Sequence, residues 1–394
     1  MLAIKNFCLI LIGLIFLSGL YSYQATISSI GLNIYHLFTI FFLIFIADIF
    51  FNKPDQSLFL TKTTIVVSVY LILLILYFIF SSYSSQIWQV FVATFTGVLF
   101  FASVYLIARD TKETLKKIFP ILLLVSCFMQ FYDFLNPGLL VPYWFPEANP
   151  GRAAGLFMNA NQAGYALILF MSFIFSFCSK RTIQICLIFF IPAIVITFSR
   201  SSWFLSILMF FIYRGKLNIS TLVISLGTIA IFFAFGINYF LNTDNLLDLN
   251  SAAFAFENIL SRLDFAALFD DGTRSYTDDS RFQLIFYSLS EIEKNVFFGN
   301  GIGHTYIWNN DVGPHNMYLY FFVEFGLLGF IFYISVCMVF LYNSFAQNEE
   351  SLRKFNFFIA LFLIFGGLFS HTFFIDFQPV AILAIASALN NKVT

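Results

Sequence analysis

Polar residues enter this chain mainly as short breaks between long apolar runs, and that spacing constrains the fold more than any motif does. A helix needs about 17–25 mostly apolar residues to cross a bilayer. Twelve runs are candidates, at about 7–22, 30–51, 63–82, 87–108, 117–134, 160–178, 182–198, 201–213, 218–241, 316–342, 355–375 and 378–391, the eighth and twelfth being short. Only 10% of the residues are charged and mean hydropathy is +0.87, whereas soluble domains carry about 25% charge. The predicted fold is therefore all-α, a polytopic membrane helix bundle of about 12 transmembrane helices. The opening stretch "MLAIKNFCLILIGLIFLSGL" has the lysine and apolar core of a signal peptide but no clear cleavage site, so it reads as the first span. Cys8, Cys127, Cys178, Cys186 and Cys337 all lie in or beside apolar runs, which predicts neither a disulfide framework nor a zinc site.

Lysine and arginine set the orientation. With both termini cytoplasmic, fourteen of the twenty basic residues fall inside. Arg152, Arg200, Arg262, Arg274, Arg281 and Lys294 fall outside, and Trp88, Trp144, Trp203 and Trp308 lie at or near outer ends of spans. Residues 242–314 form one large outer (periplasmic) loop containing two amphipathic stretches, "AFENILSRLDFAALF" and "SRFQLIFYSLSEIEKN", suited to the membrane surface. Three regions follow: a transmembrane scaffold of about five helices over 1–150, a core over 151–345 that includes the loop, and C-terminal helices over 346–394. The first region carries little functional signal.

The segment "GPHNMYLYFFVEFGLLG" starts the tenth run with a histidine. His315 is expected at the outer mouth of that span. On a continuous helix Gly326 lies beneath it, Gly329 is near the same stripe, and Glu324 faces the other way toward another helix or the backbone. Alone, His315 reads as an interfacial residue near a helix start. Three arginines change the weighing: Arg200 in the turn "TFSRSSW", Arg281 in "DDSRFQLIFYSL", and Arg152 in "NPGRAAGLFMNANQAGY", which also holds Asn159 and Asn161. Each alone reads as a solvated loop residue. Together with helix starts near 160, 201 and 316 they outline an anion site, because guanidinium binds phosphate in a bidentate way and helix N-termini add positive dipole ends. A histidine beside a bound diphosphate suits transfer of a sugar, with a base for the incoming hydroxyl.

Other features carry less. "FFGNGIGH" lacks the Lys-Ser/Thr of a phosphate loop and reads as a tight connector. Asp270–Asp271 and Asp278–Asp279 read as a solvated acidic loop before a cation site. His36 and Asp48 sit at opposite ends of the second run, and His371 in "FSHTFFIDFQP" is a candidate for the His315 cavity.

With these pieces in order, the chain resembles the O-antigen ligase/polymerase superfamily of bacterial inner-membrane proteins over about 150–345. The likeness rests on Arg152, Gly155, Phe157, Asn159 and Asn161; on Ser199–Arg200; on Arg281 before Gly299, Gly301 and Gly303; and on His315–Asn316 followed by Glu324, Gly326 and Gly329. Ala160 stands where the family often has proline. The resemblance implies transfer of a glycan from undecaprenyl diphosphate on the periplasmic face, without metal, cofactor or nucleotide sugar. It implies that Arg200 and Arg281 hold the diphosphate and His315 activates the acceptor hydroxyl, with Arg152, Asn161, Asn316 and Glu324 in support. The implied partners are the lipid-linked donor glycan, an acceptor glycan lipid, the membrane and a chain-length regulator, and not nucleic acid.

The acceptor is a lipid-linked repeat unit for a polymerase, lipid A–core for a ligase, or a protein hydroxyl for an O-oligosaccharyltransferase. The chain's end, "ALNNKVT", directly after the twelfth run, counts against the last. Polymerase is slightly preferred to ligase. A transporter or flippase is the rival class, and it predicts charged or broken-helix sites near the bilayer midplane.

Overall fold

The computed structural model describes residues 2–27, 62–81, 84–140, 152–213, 280–308 and 313–390, with single positions at 36, 40, 43 and 227. Among the described residues every regular element is helical. In chain order these are α1 (Leu2–Ile12), α2 (Leu20–Ile27), α3 (Lys62–Phe80), α4 (Ser85–Ala108), α5 (Lys112–Leu135), α6 (Ala160–Phe177), α7 (Lys180–Ile196), α8 (Arg200–Ile212), α9 (Ser280–Lys294), α10 (His304–Ile307), α11 (Met317–Ala346), α12 (Glu350–Leu361) and α13 (Phe377–Asn390). Apart from those single positions, the runs predicted at 30–51 and 218–241 lie outside the described residues, as do the stretch "AFENILSRLDFAALF", Asp48, Trp144, Arg262, Arg274 and the two aspartate pairs. Four described helices have segments long and apolar enough to cross a membrane: Ile87–Ala108, Lys112–Leu135, Ala160–Phe177 and Met317–Ala346.

The described helices fall into two compact units made from alternating stretches of chain. α1, α2 and α5–α8 form one, and α3, α4 and α9–α13 form the other. In the first, α6 is buried along nearly its whole length, and Phe119 of α5 stacks on its Phe173 at 4.3 Å. In the second, α13 packs along α4, and α11 packs beside α12.

α11 departs from the expected straight span. Gly326 has φ 63° and ψ −154°, a backbone region essentially restricted to glycine. There the chain reverses. On a straight helix Tyr318 and Tyr333 would be about 22 Å apart along the axis, yet their rings are 4.9 Å apart; Phe321 lies 5.6 Å from Phe332 and Phe322 5.3 Å from Phe330. α11 is thus a hairpin of a short limb, 317–325, and a long limb, 327–346. The stacking of Gly326 and Gly329 beneath His315 fails for that reason, since it assumed one continuous helix and the axis turns back at Gly326.

The short limb runs beside α3. Along the short limb, Tyr70 in the middle of α3 meets Phe321 at 6.0 Å, and Tyr77 nearer its end meets Phe325 at 5.1 Å. The limb therefore climbs alongside α3 from a buried start. That start is fixed where the Met317 N–H donates to Gly367 O at 2.7 Å. The segment after Gly367 leads to Phe374, which lies 5.7 Å from Tyr70 and whose carbonyl would be 2.9 Å from a Cβ on Gly97. Gly97 is about 18 Å along α4 from its first residue. His315 stands just before this start, its ring beside that of His371.

Gly326→Ala is expected to destabilise the protein by about 2–4 kcal/mol, because the new Cβ meets Phe297 O and the Gly299 N and alanine resists this backbone region. Thermal unfolding in detergent measures it, and an unchanged midpoint would contradict the hairpin.

Candidate functional site

Three non-glycine residues among those described have positive φ: Met158 (65°), Phe198 (48°) and His315 (48°). Such values are uncommon and carry strain. Each residue stands immediately before a helix cap, namely Asn159, Ser199 and Asn316, and so aims the candidate residues around it.

In the first unit the Arg152 segment is tied at both sides. The Arg152 guanidinium donates to Thr197 O through Nε at 3.0 Å and to Asn161 Oδ1 through Nη2 at 2.8 Å. The Ala153 N–H donates to Ile196 O at 3.0 Å. Beneath, the buried Asp133 accepts the Ala154 and Gly155 N–H groups on one oxygen, both at 2.9 Å. Arg152 and Asn161 therefore come together as a pair, joined to the turn that leads into Arg200. That turn is set by Thr197 Oγ1, which accepts the Ser199 N–H at 3.2 Å, and by the Trp203 Nε1–H donating to Ile194 O at 3.0 Å. Arg200 opens α8 and is half-buried. Asp133 is not among the residues singled out above; its sequence signal is a lone carboxylate within the apolar "FMQFYDFL".

In the second unit Arg281 is the second residue of α9, a helix whose Leu284, Ser288 and Ile292 are buried on one face while Phe286, Tyr287 and Leu289 are exposed. At its end Glu291 meets His304 Nε2 at 3.0 Å and Lys294 Nζ at 2.6 Å. Burial raises the Glu291 carboxyl, but the hydrogen bonds and charges of Lys294 and His304 outweigh it and hold the group below the ordinary carboxylate value. The connector then fills the break in α11. The Asn300 and Gly301 N–H groups donate to Val323 O and Glu324 O, at 2.8 and 3.0 Å, and the Leu327 N–H donates to Val296 O at 2.9 Å.

Glu324 is fully buried and does not face His315. Its carboxylate accepts the Gly303 N–H at 2.6 Å, the Thr305 N–H at 3.1 Å and the Thr305 hydroxyl at 2.6 Å, fixing the start of α10. His315 is half-buried, with its ring 5.1 Å from that of His371 at 77°. Asn316 caps α11, its Oδ1 accepting the Tyr318 and Leu319 N–H groups at 2.9 and 3.2 Å. With the Met317 N–H also engaged, an anion near this end would rely on side chains more than on free helix N–H groups.

Glu324→Ala leaves three buried donors without their acceptor. It is expected to cost about 3 kcal/mol or more and to lower the detergent-solubilised melting temperature, while Glu324→Gln, which keeps one accepting oxygen, loses less.

Residues 185–334 match the family model for O-antigen ligase (Wzy_C) and include Arg200, Arg281, His315, Asn316 and Glu324. This match supports the O-antigen ligase/polymerase superfamily, whose members are glycosyltransferase-like membrane enzymes acting on lipid-linked glycans. A comparison with curated proteins found no match.

Proposed function

We propose that this protein is a glycosyltransferase of surface-polysaccharide (O-antigen) synthesis that moves a glycan from undecaprenyl diphosphate to an acceptor hydroxyl. The observation that carries the reading is the O-antigen ligase match over 185–334, which spans both arginines and the histidine. In the step proposed, a nitrogen of His315 takes the proton of the acceptor hydroxyl. The oxygen bonds to the anomeric carbon as the bond from that carbon to the diphosphate oxygen breaks, and undecaprenyl diphosphate leaves with the electron pair. Arg200 and Arg281 meet the charge on the diphosphate, with Arg152 and Asn161 supporting the Arg200 turn through Thr197. The reaction needs no metal in this reading. The protein works in the inner membrane with both termini cytoplasmic, on the periplasmic side.

The acceptor proposed is a second lipid-linked repeat unit, making the enzyme a polymerase, optionally working with a chain-length regulator; ligation to lipid A–core is the alternative. The broken helix does not favour a carrier. Transporters leave such breaks open to their cargo, whereas Val323 O, Glu324 O and the Leu327 N–H are taken by residues 296–301, and Phe325 O by the Tyr77 hydroxyl at 3.0 Å.

The test is the surface-glycan ladder of a deletion strain complemented with wild-type or variant protein. A single repeat unit on lipid A–core in the deletion means polymerase, and lipid-linked polymer with no attached chain means ligase. His315→Ala, expressed at wild-type level, is expected to lose transfer by about 100-fold or more. A restored wild-type ladder would remove His315 as the base. Arg200→Lys is expected to lose about tenfold or more because a point charge replaces the bidentate fork, and activity of the purified protein should survive a metal chelator.

A further inference from the structure

α9 buries only part of its surface against the protein. Leu284, Ser288 and Ile292 form the buried stripe. At about 100° per residue, Ile285, Leu289 and Phe286 lie about 60–160° to one side of the centre of that stripe, and all three are exposed. Lys294, Gln283 and Ser290 lie about 120–160° to the other side and are exposed as well. The helix thus has three faces: one on the protein, one apolar and uncovered, one polar. Glu293, in the last turn, is the charged exception on the apolar side. A helix wholly in water gains nothing from the second face, and a helix wholly in lipid gains nothing from the third.

The chain leaves α9 through Val296, Phe297 and Phe298, and the two phenylalanines are 67% and 73% exposed. This turn is fixed to the head of the long limb of α11. There the Leu327 N–H donates to Val296 O at 2.9 Å, and Gly299 and Gly326 approach so closely that a Cβ on either would collide with the other's backbone. The limb, 327–346, is about 20 residues long, which is what a span needs, and it begins with exposed Leu328 and Ile331. Val296–Phe298 therefore stands at the end of a span. That is the level where acyl chains give way to headgroups and where aromatic side chains gather.

We propose that the uncovered side of α9 and the Val296–Phe298 turn dock on the phospholipid leaflet. Phe286, Phe297 and Phe298 enter the outer ends of the acyl chains, and the polar side of α9 faces headgroups and water. α9, and with it the chain at Arg281, is then carried by the bilayer surface as well as by α11. The docking holds whichever acceptor the enzyme uses.

The test uses the full-length protein in vesicles of phosphatidylcholine carrying a trace of the same lipid with a photoactivated carbene precursor. The precursor sits near the glycerol end of an acyl chain in one preparation and near the methyl end in another. Labelled peptides are mapped by mass spectrometry. Peptides within 283–298 are expected to take about fivefold more label from the glycerol-end probe than from the methyl-end probe, while the middle of the long limb, around the exposed Met338, favours the methyl-end probe. Labelling of 283–298 no higher than that of the buried α6 overturns the proposal. A preference there for the methyl-end probe overturns the boundary placement. Labelling that fades as the protein-to-lipid ratio rises, while that of Met338 holds, overturns it too by marking a contact between copies. Phe286→Asp combined with Phe298→Asp is expected to cut labelling of this stretch about fivefold and leave Met338 unchanged; undiminished labelling overturns docking through these rings. If that variant does not reach the membrane, the depth preference of the wild-type protein decides alone. No outcome here uses transfer activity, so a failure of docking leaves the proposed transfer standing.

Discussion

The described part of the second unit depends on one broken helix. Reversing the chain at Gly326 frees carbonyls and an N–H that a continuous helix would pair internally, and in an apolar setting each must find a partner. The connector 296–301 supplies them through backbone bonds, so the break and the loop hold each other. Glu324, next to the break, then extends the join by gripping Gly303 and Thr305. The short limb that follows His315 runs beside α3, and the His315 ring meets that of His371.

Much of this was legible in the sequence and some of it was not, for identifiable reasons. The described helices start within a few residues of the predicted runs because apolar length and cap residues announce them: Asn159, Ser199 and Asn316 accept N–H bonds just where helices were expected to begin. The second amphipathic stretch forms α9, with its apolar spacing divided between a buried stripe and an exposed face. The hairpin is hidden because, Glu324 apart, "FFVEFGLLGFIF" is apolar on both sides of the turn, and apolarity alone does not separate one long helix from two antiparallel ones. On a continuous helix Gly326 simply falls in the stripe beneath His315, although glycine also serves positive φ.

The candidate residues divide in the same way. Arginine, asparagine and histidine were visible because they are rare in such a chain. What holds them was not visible, since the supports join positions far apart in sequence: Asp133 to Ala154, Arg152 to Thr197, His371 to Gly313. Nor does residue type reveal that Met158 and Phe198 adopt left-handed backbone; of the three, only His315 is of a type enriched there.

The π-helical turn Phe362–Gly366 gives the chain an unusual sensitivity to length. Such a turn holds one residue more than α geometry would, and residues beyond it are rotated by about 100° relative to an uninterrupted α-helix. Its carbonyls are used: Leu363 O accepts the Tyr333 hydroxyl at 2.6 Å and Ile364 O the Tyr318 hydroxyl at 3.0 Å, one from each limb of the hairpin. The direction in which His371 leaves this segment is therefore written as a residue count, which substitutions preserve and a single deletion within 362–366 would not.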